Sequence, residues 1–213
     1  MNKKAHLPKP ENEPALNYAP GSPERAELVK KLAELKSRAA DLPLIIGGKE
    51  VRTGKTSDII IPHDNKKNLG RFHKAGAAEV QLAIDAANAA RAGWARTPWR
   101  ERAAIFQKAA ELLAGPWRST LVAATMLGQS KTPHQAEIDA ACELADFYRF
   151  NPYYLDQLHA QQPPSPAGEK NSLEYRPMEG FIFALTPFNF TSIAGNRPTA
   201  PALMGNTVIW NPA

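Results

Sequence analysis

The chemistry open to this chain is limited first by its thiol and its imidazoles. The 213 residues hold one cysteine, Cys142, and five histidines, His6, His63, His73, His134 and His159. A single thiol excludes an internal disulfide framework and any multi-thiolate metal site. The histidines are scattered, with no pair at helical ligand spacing, so no structural metal is expected. A lone cysteine invites the role of nucleophile, yet Cys142 lies in a strongly helical pattern among Ala140, Ala141 and Leu144. In such a setting cysteine behaves as a small hydrophobe, and a structural role is expected. Nucleic-acid binding would need a clustered basic stripe or aromatic stacking platforms. The net charge of +5 is instead spread among acids, as at Lys30-Lys31 beside Glu27 and Glu34, and reads as a solvated helix face. No nucleic-acid partner is expected.

The elements that must position any site follow from periodicity and punctuation. Residues 1–21 read as an extended arm, and Ser22-Pro23 offers an N-cap and a first helical position. Leu28, Leu32 and Leu35 then mark a helix to about Ala39. The apolar run from Leu42 to Ile46 ends at Gly47-Gly48, a hairpin signal with Glu50 to Thr53 as the return. Asp58 to Ile61 and Asn68 to His73 are further β-prone pieces. Helices follow over Glu79 to Ala92, from Thr97-Pro98 to Leu113, and from Trp117 to Leu127, the last closed by Gly128. Thr132-Pro133-His134-Gln135 reads as a capping box opening a longer helix through Ile138, Ala141 and Ala145, broken or kinked at Pro152. Residues 161–171 form a loop. Ser172 to Arg176 reads as a strand, and Phe181 to Leu185 as a strand buried on both faces. A loop over Pro187 to Thr191, a helix near Ser192 to Met204 and a strand from Thr207 to Trp210 complete a βαβ unit, with a right-handed crossover expected. The fold class is therefore α/β. No run of about 18 apolar residues is present to cross a bilayer. Met1 to Pro14 lacks the apolar core of a secretory signal and the Arg-rich character of a transit peptide, so a cytoplasmic location is expected.

The segment from Glu179 to Thr191 resembles the strand-to-loop signature of the aldehyde dehydrogenase superfamily, with Pro187-Phe188-Asn189-Phe190 as its Pro-aromatic-Asn-Phe core. The Phe-Asn-Phe-Thr form, followed by Ala200 to Thr207, resembles the 1-pyrroline-5-carboxylate dehydrogenase branch. The stretches Ala123 to Gln135 and Gln135 to Asn151 resemble the same branch, and the likeness runs from about Pro43 to the end. It implies an aldehyde dehydrogenase-like fold and the NAD-dependent oxidation of L-glutamate gamma-semialdehyde to L-glutamate in proline catabolism. In that family a cysteine thiolate attacks the aldehyde, hydride leaves for the nicotinamide, and a glutamate-activated water releases the acid. This is covalent catalysis supported by donors that face the developing alkoxide.

The resemblance assigns Asn189 to catalysis, as a neutral amide able to donate to an oxyanion. The competing reading makes Asn189 a cap for the helix that begins near Thr191. Phe190 and Glu143 match substrate-binding positions, Phe190 against the aliphatic stem of the aldehyde and Glu143 as a helix-borne acid near it. Core packing for Phe190 and plain surface exposure for Glu143 are the alternatives. Thr186, Pro187, Phe188 and Asn211 fall on the cofactor side. The family continues its strand with Lys-Pro-Ser, whereas this chain reads Asn211-Pro212-Ala213, so the lysine expected at the adenosine ribose is an asparagine. Arg197 also stands where an apolar residue would suit the helix. The resemblance places the nucleophile and general base beyond Ala213, so the chain is expected to be a fragment that is inactive alone. It divides into an arm and helix over 1–42, β-pieces of an oligomerisation region over 43–75, and an incomplete NAD-binding domain over 76–213. The domain comprises a helical layer over 76–160, the loop 161–171 and the first βαβ over 172–213. A small aldehyde substrate and homo-oligomerisation of the full-length protein are implied, with no membrane partner. Two rivals stay open: another aldehyde dehydrogenase, and a non-catalytic remnant or pseudosubunit that binds full-length protomers.

Overall fold

A computed structural model of the chain describes residues 6–212, so the first five residues of the expected arm and Ala213 lie outside the described residues. Helix α1 spans Pro23–Ser37, and the hydroxyl of Ser22 accepts from the amide of Arg25 at 3.3 Å. Strands β1 (Ala40–Leu42), β2 (Leu44–Ile46), β3 (Lys49–Val51), β4 (Thr56–Ile61) and β5 (Asp64–His73) follow. β2 and β3 form the expected hairpin, turned by Gly47 and Gly48 at φ +57° and +76°. That pair of positive φ angles is what a two-residue hairpin turn matching strand twist demands. β5 is longer than its β-prone sequence suggests and pairs antiparallel with β4 and parallel with β1. The β1 pairing escapes sequence reading because it depends on Gly70. At φ +143°, Gly70 lets the backbone of Ala40 approach to where a Cβ would lie 2.1 Å from its carbonyl oxygen.

The helical layer comprises α2 (Ala77–Arg96), α3 (Trp99–Ala114), α4 (Arg118–Gln129), α5 (Pro133–Ala136), a π-helical segment (Glu137–Glu143) and α6 (Leu144–Ala160). Thr132 and Gln135 form the expected capping box, Thr132 Oγ1 accepting from the Gln135 amide at 3.3 Å and Gln135 Oε1 accepting from the Thr132 amide at 3.0 Å. Four expectations are corrected here. Thr97 closes α2 instead of capping α3, its hydroxyl donating to Gly93 O at 3.2 Å. Ser130, not Gly128, takes the left-handed conformation after α4, with φ +57°. The long helix contains a π segment, Glu137–Glu143, which carries two buried carboxylates, Glu137 and Asp139. Pro152 does not break α6, which runs on to Ala160 with Pro152 fully buried. Packing of α6 against α3 and α7 outweighs the one backbone hydrogen bond that proline removes.

The arm is a strap laid over these helices. Leu7 N and His6 Nδ1 meet Asp156 Oδ2 at 2.8 and 2.9 Å, Glu13 N donates to Asp146 Oδ1 at 2.7 Å, and Leu16 N donates to Glu137 Oε1 at 2.8 Å. Tyr18 and Leu28 join Val122, Ala123, Ala136 and Ala141 in one core cluster, while Ala103, Phe106, Leu155 and Leu203 form a second. The loop over 161–171 is present as expected, but Ser172 to Arg176 is not a strand. Among the described residues no strand lies beside it, and the side chain of Gln162 serves both polar groups of Leu173 instead, accepting from its amide at 2.8 Å and donating to its carbonyl at 3.3 Å. The chain closes with β6 (Ile182–Leu185), α7 (Thr191–Leu203) and β7 (Val208–Asn211), β6 and β7 parallel with Ile182 opposite Val208. α7 runs through Pro198 and Pro201, and the Thr199 hydroxyl donates to Gly195 O at 2.7 Å. No described helix is long and apolar enough to cross a membrane.

Candidate functional site

The loop over 186–190 leaves the C-terminal end of β6 and enters α7, where ligands bind in open α/β sheets. Its two ends are fixed by different devices. At the strand end Thr186 is buried, its amide donating to Asn211 O at 3.2 Å and its hydroxyl accepting from Trp210 Nε1 at 3.0 Å. The side chain expected on the cofactor side thus locks β6 to β7. At the helix end the carboxylate of Asp139 takes the amides of Thr191 and Ser192, each at 2.9 Å, and the Ser192 hydroxyl at 2.7 Å. A carboxylate on the first amides of a helix satisfies orphan donors and meets the positive end of the macrodipole, contributing about 0.5–2 kcal/mol.

Between these anchors the exposed side chains are those named from sequence. Asn189 is exposed, and among the described residues its side chain makes no hydrogen bond. The capping alternative fails, because Asp139 occupies the amides that Asn189 would have served. Phe188 is exposed, Pro187 half-buried, and Phe190 lies with its ring 4.5 Å from Lys131 Nζ and two-fifths of its surface open. Glu143 is exposed, with a carboxylate oxygen 2.8 Å from the Ser192 hydroxyl, whose one proton the two acids share, and this brings Glu143 to the first turn of α7. Asn211 stands exposed at the end of β7, its carbonyl engaged with Thr186. The geometry therefore gathers Asn189, Phe190 and Glu143 around the start of α7, and Pro187, Phe188 and Asn211 along the strand ends. Arg197 is exposed and donates to Leu185 O at 3.3 Å, which accounts for a cation where an apolar residue was expected.

Cys142 is buried, with its sulfur 3.8 Å from Glu137 Oε1 and from Arg118 Nη2. Burial, then the charge of Glu137, pushes its thiol up to about 11. A group so placed is the inert, structural cysteine expected, because the thiolate is the nucleophilic form. Its neighbours form the most deeply buried charged group among the described residues. Arg118 pairs with Glu137, and Tyr18 donates to Glu137 at 2.6 Å. Burial opposes ionisation of Glu137, but hydrogen bonds from Arg118, Tyr18 and the Leu16 amide outweigh it and hold the carboxyl below its ordinary value. Asp139 is likewise held low: burial works against it, and Lys131, Ser192 and Thr191 overcome burial. Sequence reading missed Asp139, Lys131 and Ser192. A signal was available in Glu137-Ile138-Asp139-Ala140-Ala141-Cys142, two acids set among residues that otherwise read as core.

Comparison with known proteins places these residues in context. A family model described as "Aldehyde dehydrogenase family" matches residues 50–213. The chain is 53% identical over 209 residues to a delta-1-pyrroline-5-carboxylate dehydrogenase of Agaricus bisporus, covering 97% of this chain and 38% of that protein. It is 48% identical over 202 residues to the mitochondrial delta-1-pyrroline-5-carboxylate dehydrogenase of Homo sapiens, covering 95% of this chain and 36% of the relative. Among solved structures it superposes on the delta-pyrroline-5-carboxylate dehydrogenase of Mycobacterium tuberculosis bound with NAD, with a TM-score of 0.97 and 53% identity, over 100% of this chain and 40% of that one. The chain thus spans about two-fifths of the length of the relatives it matches.

Proposed function

Because the chain belongs to the aldehyde dehydrogenase family, we propose that it supplies part of the aldehyde site of a 1-pyrroline-5-carboxylate dehydrogenase, which oxidises L-glutamate gamma-semialdehyde to L-glutamate with NAD. The observation that carries this reading is Asn189: an exposed amide without a hydrogen-bond partner among the described residues, on a loop fixed at both ends. In this role Asn189 donates its amide N–H to the aldehyde oxygen as negative charge builds there. A neutral donor held in place needs no reorganisation at the moment of reaction, and such a donor contributes a factor of about 10²–10³ in kcat. Phe190 lies against the aliphatic stem of the substrate, and Glu143 faces the same end of α7.

The residues present fit NAD at the strand ends. Exposed Leu185, Phe188 and Trp210 offer apolar faces to flat rings, and Pro187 shapes the same rim. Asn211 offers a side-chain amide to a ribose hydroxyl, a shorter and uncharged substitute for the lysine that the family pattern carries. Thr186 contributes indirectly, by holding Trp210. NAD, when bound, accepts the hydride that leaves the aldehyde carbon. Cys142 does not serve as the nucleophile in this reading, being buried with a thiol that titrates near 11.

The division proposed from sequence accompanies this role: an arm and helix over 1–42, an oligomerisation region over 43–75 and part of an NAD-binding domain over 76–213. Exposed Leu42, Ile45, Ile60 and Phe72 on the β-pieces support a homo-oligomer. A cytoplasmic location is part of the proposal, and cell fractionation distinguishes it from the mitochondrial location in the names of several relatives.

The test is a chimera in which this chain replaces the region it aligns with in the Mycobacterium tuberculosis dehydrogenase. The reading expects NADH formation from glutamate semialdehyde and NAD at a rate comparable to that relative. A chimera that folds and assembles as the relative does, yet forms no NADH, overturns it in favour of a non-catalytic partner subunit. Turnover of other aldehydes but not this one favours a different aldehyde dehydrogenase.

A further inference from the structure

We infer that Lys131 and Asp139 form a positioning pair that fixes the orientation of Phe190, and through it the Asn189 loop, an inference that rests on the aldehyde-site reading above. Lys131 Nζ lies 2.7 Å from Asp139 Oδ2 and 4.5 Å from the centre of the Phe190 ring, and its side chain is only 16% exposed. The same carboxylate holds the amides of Thr191 and Ser192. One ion pair therefore grips three consecutive residues, 190, 191 and 192, by ring, amide and amide. Upstream, Thr186 is fixed by Asn211 and Trp210. Only residues 187–189 remain between the anchors, and a span that short retains little of the conformational freedom a loop would otherwise have.

The lysine has a role beyond satisfying a buried acid. Asp139 already accepts from two amides and a hydroxyl, so its hydrogen bonding does not depend on Lys131. What Lys131 adds is a cation over an aromatic ring, attracted by the ring quadrupole and strengthened where water is excluded. With the ammonium 4.5 Å from the Phe190 ring centre, the ring is held on one side while two-fifths of the residue stays open. The charge is matched by Asp139, so Lys131 is not a free anion site and does not compete for a substrate carboxylate. Lys131 and Asp139 are positioning residues, acting through Phe190 and the first turn of α7.

The 213-residue chain labelled with 4-fluorophenylalanine reports on this directly. It contains eight phenylalanines, and loss of one 19F signal in Phe190→Leu identifies the signal of Phe190. In Lys131→Met the Phe190 resonance is expected to shift and broaden while the others keep their positions. Lys131→Arg, which retains charge and stacking, is expected to restore it. Lys131→Gln keeps a donor for Asp139 without the charge and gives the same reading should the Met variant unfold. An unchanged Phe190 signal in folded Met or Gln variants overturns the inference, and so does an Arg variant that behaves like Met. No aldehyde or cofactor enters the measurement, so its failure is distinct from failure of the dehydrogenase reading.

Discussion

At the scale of single residues, buried charge sets the character of this chain. Glu137 is fully buried and Arg118 nearly so. Glu137→Ala leaves Arg118 with Glu13 as its remaining carboxylate partner and deprives the Tyr18 hydroxyl of its acceptor, and is expected to destabilise the protein by about 3 kcal/mol, measured by urea unfolding followed through tryptophan fluorescence. The low-held carboxyls of Glu137 and Asp139 also set a pH dependence. A carboxyl whose folded pKa lies below its unfolded value contributes stability above the unfolded pKa and loses it as pH falls through the folded one. Acid unfolding should therefore steepen between about pH 5 and pH 2, and Asp139→Asn should flatten that slope while lowering stability at neutral pH. A variant with an unaltered acid-unfolding curve would disprove the role given to Asp139. Residue chemistry was partly legible beforehand. The Asn189 motif and the inert Cys142 could be read from the chain, whereas the partner that frees Asn189 from capping duty, Asp139, lies fifty positions upstream and is known only from contact.

At the scale of elements, local signals carried the starts of helices and failed where the cause was tertiary. Ser22 and the Thr132–Gln135 box acted as their sequence implies. The π segment had no such local signature. Likewise the strand-like residues 172–176 stay irregular because a strand is a pairing, and among the described residues it is the Gln162 side chain that meets the polar groups of Leu173. The site also depends on how closely α7 lies on α6. A Cβ on Gly195 would stand 2.6 Å from a Leu144 methyl, and Leu144 is buried. Gly195→Val is expected to cost about 1–3 kcal/mol by overpacking and, in the chimera, to lower turnover by displacing the loop ahead of α7. Thermal unfolding and steady-state kinetics check the two parts separately. Wild-type stability and turnover in that variant would mean that the helix contact does not position the loop.

At the scale of the whole molecule, the exposed surfaces are as informative as the core. The strand expected to be buried on both faces is buried only at Ala184, because β7 alone pairs with it among the described residues. β6 and β7 leave Phe183, Leu185 and Trp210 open, as the β-pieces leave Leu42, Ile45, Ile60 and Phe72. The first set adjoins the proposed cofactor side, and the second lies where the proposed oligomer contact would form. The βαβ unit and the hairpin were legible because their turns and apolar runs are contiguous in sequence. The strap was not, because its anchors at Glu137, Asp146 and Asp156 are more than a hundred residues away along the chain. The central claim is that the loop between β6 and α7 presents Asn189 to a reacting aldehyde. Its most direct test is Asn189→Ala in the chimera, with kcat and KM measured for glutamate semialdehyde. A fall in kcat of about 10²–10³ with KM little changed is predicted, as for loss of an oxyanion donor. An unchanged kcat would contradict the account.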